Sequence, residues 1–450
     1  MSPLPRFQEP AIDTIHVPDP VAARLSDRAM RRLGPREFLR LQKINFVVAR
    51  NLAPALLRKK NRTPEKLAPR IRKVVLSLGP PFVKLSQLVS SSPGLFPAAI
   101  SNSLRDLLDD APPEPWDAIR PVIEKGLGTR VSEFQSIETE PLAAASIAQV
   151  HGAVLRDGTP VVLKVRRPGV EERFRRDLRL LRVTARILQR LSKSARVMNP
   201  VAIVDDVVTT LRQELDFGLE AESMERFAAN LKAFGDNGLI RVPSVHHGLL
   251  GHGVLTMERI NGIKVDDLLS LQLTGLPLLD LLKAGVRVWI EAVCEHGFFH
   301  GDVHAGNLMV DDGGKVVFLD FGIMGELDDA TRHVIRRGVV ALLHQRDFPE
   351  VTRCLAELGA QLGGASSEHR AAVALAGLVE PELAKPLAEI DYNDLFMRAM
   401  RLARPKGVQL PRSMVLLGKQ VLYFERYAKL VAPDYDILSD TYLLEFMLDG

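Results

Sequence analysis

The stretch FHGDVHAGNLMVDDGGKVVFLDFG, residues 299–322, decides how the rest of this 450-residue chain is interpreted. It opens with a polar loop that carries Asp302 and Asn307, and a Gly-Gly turn follows. An apolar run then ends in an Asp-Phe-Gly tripeptide that begins at Asp320. Two short apolar runs joined by a glycine turn predict a tight hairpin. Two carboxylates and an amide are therefore expected at the ends of that hairpin.

The spacing of these three residues is typical of protein kinases. Asn307 lies five residues after Asp302, and Asp320 lies thirteen residues after Asn307. In kinases the first aspartate orients or deprotonates the nucleophile, while the asparagine and the aspartate of Asp-Phe-Gly hold magnesium. An isolated Asp-Phe-Gly is a weak signal, but the combination is strong. It predicts Asp302 as the catalytic residue and Asn307 and Asp320 as Mg²⁺ ligands.

A competing interpretation treats the loop as a zinc site. His300, Asp302 and His304 alternate along the chain, and two histidines flanking a carboxylate can ligate zinc. That interpretation leaves the Asp-Phe-Gly tripeptide and the lysine-bearing strand described below without a role. Structural roles for His300 and His304 are the preferred hypothesis.

A β-rich segment begins near residue 131. Val150 to Leu155 alternates towards an Asp-Gly turn, and the strand Val161–Val165 follows, which predicts a hairpin. Lys164, on the second strand, occupies the place of the kinase lysine that reaches the α- and β-phosphates of ATP. Taken alone it is more often a solvated strand lysine. The catalytic spacing downstream favours contact with ATP.

The loop before Val150 is rich in alanine where a protein kinase has glycines. Alanine adopts positive φ less freely than glycine, so we expect the backbone here to cover nucleotide differently, with altered preference or slower turnover. The candidate ATP-binding residues of this segment are Leu142, Ala143, Ala144, Ala145, Ser146, Ile147, Ala148, Gln149 and Val150.

A helix over Val207–Phe234 is expected to complete the phosphate site. It carries Glu214, Glu220 and Glu222, and one of these carboxylates is predicted to pair with Lys164 and orient its ammonium. The sequence leaves open which of them does so, and Glu214 and Glu220 are taken as the candidates.

Strands are predicted over Ile240–Val245 and Gly253–Met257, followed by a turn at residues 258–262 into helical sequence. Met257 and Glu258 fall where a kinase hinge presents backbone groups to adenine. They are the remaining candidate ATP-binding residues.

These elements predict an α+β, bilobal protein-kinase-like fold with a small β-sheet N-lobe and a mostly helical C-lobe. The expected divisions are an extended or disordered lead (1–35), a basic helical extension (36–130), the N-lobe (131–260) and the C-lobe (261–450). With 46% hydrophobic and 25% charged residues, the chain can bury large cores.

The composition of the chain also indicates the cellular compartment in which the protein is expected. Cys294 and Cys354 lie far apart, without metal spacing, which favours a reducing compartment. The first twenty residues lack the pattern of a signal peptide. No run of about eighteen uncharged apolar residues is present. A cytoplasmic location, without a transmembrane helix, is the expectation.

The net charge of +4 conceals a basic region. Between Arg24 and Lys73 there are sixteen Lys or Arg and only three acidic residues. A basic amphipathic helix is predicted over Arg36–Lys60, and such helices bind anionic partners or membrane interfaces. Three alternatives remain: its apolar face packs on the protein, it docks on an anionic membrane surface, or it binds nucleic acid. Few aromatic residues accompany the charges, which argues against nucleic acid.

With these residues assembled, the chain resembles the UbiB/AarF/ADCK family of atypical protein-kinase-like proteins over roughly Arg70 to Leu343. Six blocks carry the resemblance: FVKLSQ at Phe82–Gln87, PLAAASIAQVH at Pro141–His151, VLKVRRPGV at Val162–Val170, ELDFGLEAE at Glu214–Glu222, FFHGDVHAGN at Phe298–Asn307 and DFG at Asp320–Gly322.

The resemblance implies properties that spacing alone does not show. The family's Lys-x-Gly-Gln helix, here Lys84 and Gln87 with Ser86 in place of glycine, folds over the active site where a protein substrate would dock. Lys84 and Gln87 are thereby added to the catalytic candidates. The alanine-rich loop is associated with ATPase rather than protein-phosphorylating behaviour, and members support ubiquinone or other isoprenoid-lipid metabolism at membranes.

The resulting hypothesis is an ATP- and magnesium-dependent kinase-like ATPase, with a lipid or quinone-precursor ligand and peripheral membrane association through the basic helix. The alternative is a nucleotide-binding pseudokinase that acts as a scaffold or regulator of a lipid-biosynthesis complex. Intact Lys164, Asp302, Asn307 and Asp320 favour the enzyme.

Overall fold

The computed structural model describes residues 34–57, 63–79, 82–83, 86, 98–105, 112–191, 200–235, 237–359, 365–383, 385, 389–390, 394–395, 398, 412–433, 440–443 and 445–448. Its strands are β1 (Phe134–Ala144), β2 (Ala148–Leu155), β3 (Pro160–Arg166), β4 (Ile240–Arg241), β5 (Val254–Glu258), β6 (Gly262–Lys264), β7 (Phe298–His300), β8 (Leu308–Asp311), β9 (Val316–Phe318) and β10 (Met324–Glu326). Its α-helices are α1 (Pro35–Leu56), α2 (Pro64–Leu78), α3 (Ala98–Arg105), α4 (Trp116–Leu127), α5 (Val170–Leu191), α6 (Pro200–Leu215), α7 (Phe217–Ala233), α8 (Leu268–Leu273), α9 (Leu278–Cys294), α10 (Asp329–Val340), α11 (Phe348–Glu357), α12 (Ala365–Leu383), α13 (Arg412–Val431) and α14 (Glu445–Leu448).

These elements form an α+β, bilobal kinase-like fold. By contacts, the described residues within 15–222 and 244–259 form one compact unit, here the N-terminal unit. Those within 223–243 and 260–450 form the C-terminal unit. The helical extension therefore groups with the small sheet, and residues 223–243 group with the helical lobe.

The N-terminal unit is built on an antiparallel sheet in the order β1-β2-β3-β5. The predicted hairpin is confirmed, and Gly158 in its turn has a φ of 88°, which favours glycine. Val161, Leu163 and Val165 are fully buried and pack with α4. Because side chains alternate along a strand, Lys164 lies on the opposite face of the sheet from this core.

The extension packs onto the same unit through α1, α2 and α3. Their shared cluster includes Val74, Val75 and Leu78 with partly buried residues of α1. Arg40 of α1 forms a two-bond ion pair with the buried carboxylate of Asp177 on α5, at 2.8 and 2.7 Å. The apolar side of the basic helix therefore packs on the protein, which was one of the three alternatives.

The prediction of one helix over Val207–Phe234 is wrong, because the chain divides it into α6 and α7 at Asp216. The Asp216 carboxylate accepts hydrogen bonds from the amides of Gly218 and Leu219, which is the role of a helix N-cap. The guanidinium of Arg166 donates to the carbonyl of Leu215 at 2.8 Å and satisfies the end of α6.

The predicted strand Ile240–Val245 is also wrong in extent. Only Ile240 and Arg241 form β4, which pairs in parallel with β9 of the C-terminal unit. Pro243 lacks an amide donor and cannot continue the ladder. Val245 instead bridges to Met257 in the N-terminal unit, so the chain passes from one unit to the other at this proline.

The C-terminal unit contains a mixed sheet in the order β4-β9-β8-β6 and a two-stranded ribbon of β7 and β10. The hairpin predicted from the opening stretch is β8-β9, with Gly314 in its turn at a φ of 74°. The turn predicted at residues 258–262 leads into β6, which begins at Gly262 and pairs with β8, rather than directly into a helix. None of the helices in the described part of the chain is long and apolar enough to cross a membrane.

Candidate active site

The structure pairs Lys164 with Glu220 rather than with Glu214. Lys164 Nζ lies 2.6 Å from Glu220 Oε1, with the two side chains 15% and 1% exposed. Glu214 lies near the end of α6, whereas Glu220 lies in the first turn of α7. The helix break at Asp216 thus separates the two candidate glutamates onto different helices, and it decides which of them meets the lysine.

The ring of Phe217 contributes to the surroundings of Lys164. The ammonium lies 5.6 Å from the ring centroid, a distance at which a cation is attracted to an aromatic face. In the ladder, Lys164 is opposite Val150 on one side and Leu255 on the other. These contacts restrict the side-chain rotamers of Lys164 and so fix the position of its positive charge.

The alanine-rich segment forms the end of the first hairpin. Ala143 and Ala144 belong to β1, Ala148 and Gln149 begin β2, and only residues 145–147 connect the strands. None of residues 142–150 has a positive φ. The turn therefore does not need glycine, which explains in conformational terms how alanine can replace it.

Arg167 holds this turn in place. Its backbone amide donates to the carbonyl of Ile147 at 2.8 Å, and its guanidinium donates to the carbonyl of Ala145 at 2.9 Å. The guanidinium also reaches the carbonyl of Pro112 and the carboxylate of Glu114. The loop is thus fixed from outside by a buried arginine.

Two of the candidate ATP-binding residues direct their side chains into the protein. Ile147 belongs to the core formed with α5 and α6. The Gln149 amide bonds with both backbone groups of Glu114, at 2.9 and 3.3 Å, and with the buried ring of His151. Any contribution of these two residues to nucleotide binding would therefore come from their backbone.

The two residues of the predicted hinge, Met257 and Glu258, make contacts within the N-terminal unit. Met257 is buried in β5. The amide of Glu258 donates to the carbonyl of Ser244 at 2.9 Å, and the Glu258 carboxylate accepts from the Ser244 amide at 3.1 Å. The amide of Glu258 is therefore engaged within the unit rather than presented as a donor.

In the C-terminal unit, Asp302 and Asn307 are joined directly. The Asn307 amide nitrogen donates to the carbonyl of Asp302 at 3.0 Å. With the nitrogen used in this bond, the Asn307 amide oxygen is the atom of the side chain that could accept a metal ion. The Asp320 carboxylate follows β9 and accepts from the amide of Gly322 at 3.0 Å. Amide and carboxylate oxygens are the donor types that suit Mg²⁺.

His300 connects the two aspartates through their backbones. Its ring is fully buried; Nδ1 accepts from the amide of Asp302 at 3.1 Å, and Nε2 donates to the carbonyl of Asp320. Burial lowers the pKa of His300 below its ordinary value of 6.5, although the nearby Asp302 opposes the shift. The neutral ring, with its proton on Nε2, is the form that makes both bonds.

The hydrogen bonds of His300 also show that the zinc interpretation is wrong. Both ring nitrogens of His300 are bonded within the protein, so neither can ligate a metal. His304 Nε2 lies 3.8 Å from Asp302 Oδ2, and no cluster of three or more His, Cys, Asp or Glu suited to a metal occurs among the described residues.

Phe321 of the Asp-Phe-Gly tripeptide is buried against Phe227 and His300. Its ring lies edge-on to both, with centroids 5.4 and 5.1 Å apart. Phe227 belongs to the part of α7 that lies in the C-terminal unit. This packing fixes the residue that directly follows Asp320. The apolar periodicity of the sequence did not predict the contact between Phe227 and Phe321.

Two catalytic candidates, Lys84 and Gln87, lie outside the described residues. Ser86 between them is buried, and its hydroxyl donates to the carbonyl of Val83 at 2.7 Å. Glycine could not make this bond. The substitution at this position therefore adds a local contact.

The match to a family model agrees with this geometry. Residues 106–355 match the ABC1 atypical kinase-like domain. The chain belongs to the ABC1, or UbiB/AarF, family of atypical kinase-like proteins. The resemblance read from the sequence is therefore confirmed.

Members of this family from several organisms are similar to the chain over most of its length. An uncharacterized protein of Mycobacterium tuberculosis is 40% identical over 86% of this chain and 80% of its own length. A probable protein kinase UbiB of Marinobacter nauticus is 34% identical over 82% and 68%. An uncharacterized chloroplastic aarF domain-containing protein kinase of Arabidopsis thaliana is 32% identical over 82% and 73%.

A solved structure also shares the fold. The Mycobacterium tuberculosis protein Rv3197, determined as a complex with erythromycin, superposes with a TM-score of 0.52 at 23% identity. The alignment covers 78% of this chain and 91% of that one. At this identity the likeness supports the kinase-like fold and nothing finer.

Proposed function

We propose that this ABC1-family chain is an ATP- and magnesium-dependent atypical kinase-like ATPase that supports ubiquinone or other isoprenoid-lipid metabolism. The observation that carries the proposal is the buried Lys164–Glu220 ion pair at 2.6 Å. In protein kinases the equivalent pair must be formed for phosphate binding. Because a buried ion pair is weak support for stability, its place on the strand and helix of a kinase-like sheet unit favours a role in phosphate binding.

Each residue has a distinct part in the proposed reaction. Lys164 would offset charge on the α- and β-phosphates of bound ATP. Asn307 and Asp320 would hold Mg²⁺ through their oxygens, and the bound ion would supply stabilisation of the charge on the phosphates. Asp302 orients the attacking hydroxyl or water, and His300 keeps the backbones of Asp302 and Asp320 in register.

The test of this proposal is magnesium-dependent release of phosphate from ATP by the wild type and by Asp320→Asn. We expect turnover in the wild type and a loss of at least about 100-fold in the variant, because the missing carboxylate held the metal. A wild type that binds Mg–ATP without turnover would establish the pseudokinase alternative. Glu326→Gln is a matched control, because this carboxylate pairs with Arg226 on the exposed edge of β10.

We also propose that the chain associates peripherally with an anionic membrane surface through the outer face of α1. Ile44, Val47, Val48 and Leu52 pack inward. On the opposite side the helix exposes the apolar residues Phe38, Leu39 and Phe46 at 56%, 69% and 64%, with Leu57 at 80% directly after it. Among the side chains of α1 that the structure describes, the exposed charged residues are Lys43 and Arg50, both basic. Apolar side chains flanked by cations suit insertion between anionic headgroups.

Flotation with vesicles tests the association. Wild-type protein should float with vesicles containing phosphatidylglycerol and should do so less as salt rises. Phe46→Ser together with Lys43→Glu should abolish flotation. Lys73→Glu with Leu76→Ser makes the same change in charge and also removes one exposed apolar side chain, on exposed positions of α2, and is the control. Equal flotation by both double variants would contradict the assignment of the binding face.

A further inference from the structure

The amide side chain of Gln420 lies against the loop that carries Asp302. Gln420 belongs to α13 and is fully buried. Its Nε2 donates to the carbonyl of Gly301 at 2.6 Å, and its Oε1 accepts from the amide of Val303 at 2.7 Å. One side chain therefore bonds the backbone on both sides of the proposed catalytic aspartate.

Three further backbone groups of this loop segment are also bonded. The amide of Gly301 donates to the carbonyl of Ile323, and the amide of Asp302 donates to His300. The carbonyl of Asp302 accepts from the Asn307 side chain. These three bonds are made by residues close to the loop in sequence or by Ile323. The two bonds from Gln420 come from a helix 119 and 117 residues away from Gly301 and Val303.

A side-chain amide can make both bonds at once without a change of protonation. The carbonyl of Gly301 needs a donor and the amide of Val303 needs an acceptor, and Gln carries one of each on adjacent atoms. A carboxylate would place a second acceptor against the Gly301 carbonyl, and methionine would leave both buried groups without a partner. The chemistry of the site thus specifies the residue type.

We propose that Gln420 is a positioning residue that fixes the backbone on either side of Asp302 and so sets where its carboxylate lies. This inference rests on the proposed ATPase function for its effect on turnover. Gln420 does not touch the reacting atoms in this role. It acts through the loop, so its loss should reduce turnover without weakening nucleotide binding.

The first measurement needs no enzymatic activity. Hydrogen exchange of the full chain is compared between wild type, Gln420→Met and Leu417→Ala. The last is a matched control, because Leu417 is buried on the same helix and its truncation lowers stability without removing a loop bond. We expect faster exchange at the amides of residues 301–303 in Gln420→Met alone. Unchanged exchange there would overturn the inference, whether or not the chain hydrolyses ATP.

The second measurement separates positioning from general destabilisation. At a temperature where all variants are folded, Gln420→Met should lower kcat for Mg–ATP by about 10- to 100-fold with little change in KM, because small displacements of a catalytic group are costly. Leu417→Ala should keep kcat. An equal loss in both variants, or an unchanged kcat in Gln420→Met, would overturn the positioning role.

A third variant, Gln420→Glu, gives a signature that depends on protonation. The introduced carboxyl can donate to the Gly301 carbonyl only when it is protonated. Its kcat, relative to wild type at the same pH, should therefore rise as the pH falls. A ratio that stays flat or declines on acidification would overturn the proposed donor role. If the wild type shows no ATP turnover, the proposed function fails, while hydrogen exchange still decides the inference about Gln420.

Discussion

At the scale of single residues, the pair formed by Lys164 and Glu220 combines a cost in stability with a functional role. Both side chains are largely withdrawn from water, and desolvation of two charges offsets much of their attraction. Such a pair is weak support for stability, yet removal of one partner leaves a buried charge. Stability and activity should therefore respond differently to single and double substitutions.

Glu220→Leu should lower the free energy of unfolding by about 3–5 kcal/mol, because it strands the Lys164 ammonium. Adding Lys164→Met should recover most of this loss, since a pair of apolar side chains can replace a buried ion pair. Neither protein should hydrolyse ATP. Urea unfolding followed by circular dichroism measures both changes, and a double variant no more stable than Glu220→Leu would contradict the account.

The surface pair Arg175–Glu172 is the reference for this series. Its side chains are 38% and 50% exposed, and exposed pairs contribute at most about 1 kcal/mol. Arg175→Met should therefore change the unfolding free energy much less than Glu220→Leu does.

His300 gives a prediction of pH dependence. Its pKa in the folded chain lies below 6.5 because the ring is buried. Above pH 6.5 the ring is neutral in both folded and unfolded chains, and its stabilising bonds are fully present. As pH falls below 6.5, the unfolded chain takes up a proton that the folded chain resists, so stability is lost.

The expected contribution is a slope of up to about 1.4 kcal/mol per pH unit below pH 6.5. His300→Asn removes the titrating ring and should lower this slope by that amount, although the variant is less stable at neutral pH. Urea unfolding between pH 5 and pH 8 makes the comparison. Parallel pH profiles for the two proteins would show that His300 does not titrate in this way.

At the scale of secondary-structure elements, the ribbon of β7 and β10 sets the position of His300. Met324 pairs with His300, and Gly325 pairs with Phe299. The ring of Phe299 is fully buried and lies directly over Gly325, in the space that a Cβ would occupy. Glycine is needed here because an aromatic side chain crosses the neighbouring strand.

Gly325→Ala should destabilise the fold by about 1–3 kcal/mol, since a methyl group would be forced into an already filled core. Gly285→Ala is the matched control. Gly285 lies inside α9 with no atom outside its own helix near the added Cβ, so alanine there should stabilise by up to about 1 kcal/mol. Thermal unfolding distinguishes the two, and equal effects would contradict the role given to Phe299.

How far the sequence predicts these elements depends on how local their causes are. The β8-β9 hairpin and the spacing of Asp302, Asn307 and Asp320 are encoded within a short stretch, and the hairpin was predicted correctly. The break at Asp216 also has a local cause, an N-cap carboxylate, but the apolar periodicity on both sides hides it.

The remaining features depend on contacts between distant parts of the chain. Glu220 rather than Glu214 meets Lys164 because of where α7 begins. Gln420 bonds a loop more than a hundred residues away, and nothing in the pattern of α13 distinguishes a buried glutamine from a solvated one. Sequence spacing therefore located the reacting residues, but not the residues that hold them.

At the scale of the whole molecule, the described basic residues of α1 divide into two groups, one that contacts the protein and one that is exposed. Along α1 the arginine Arg40 turns inward to Asp177 and also donates to the carbonyl of Leu78. Lys43 and Arg50 remain on the outer face. The extension is thus an integral part of the N-terminal unit, and it still offers a basic and apolar surface.

This arrangement predicts that α1 cannot be removed without consequence for the unit beneath it. Arg40→Ala strands the Asp177 carboxylate, which is 4% exposed, and should lower the unfolding free energy by about 3–5 kcal/mol. Arg40→Ala with Asp177→Asn should be more stable than Arg40→Ala alone, because no charge is left buried. Arg120→Ala, on a solvent-exposed ion pair of α4, should leave stability within experimental error.

The same argument decides how membrane association can be measured. Deletion of residues 1–60 would remove α1 together with Arg40, so loss of vesicle binding by the truncated chain would also follow from a damaged unit. Substitution at Lys43 and Phe46 leaves the Arg40–Asp177 pair and the inward apolar residues in place. If the outer-face variant retains the wild-type unfolding free energy and still loses flotation, the binding belongs to that face. If it loses both together, α1 serves only to complete the N-terminal unit.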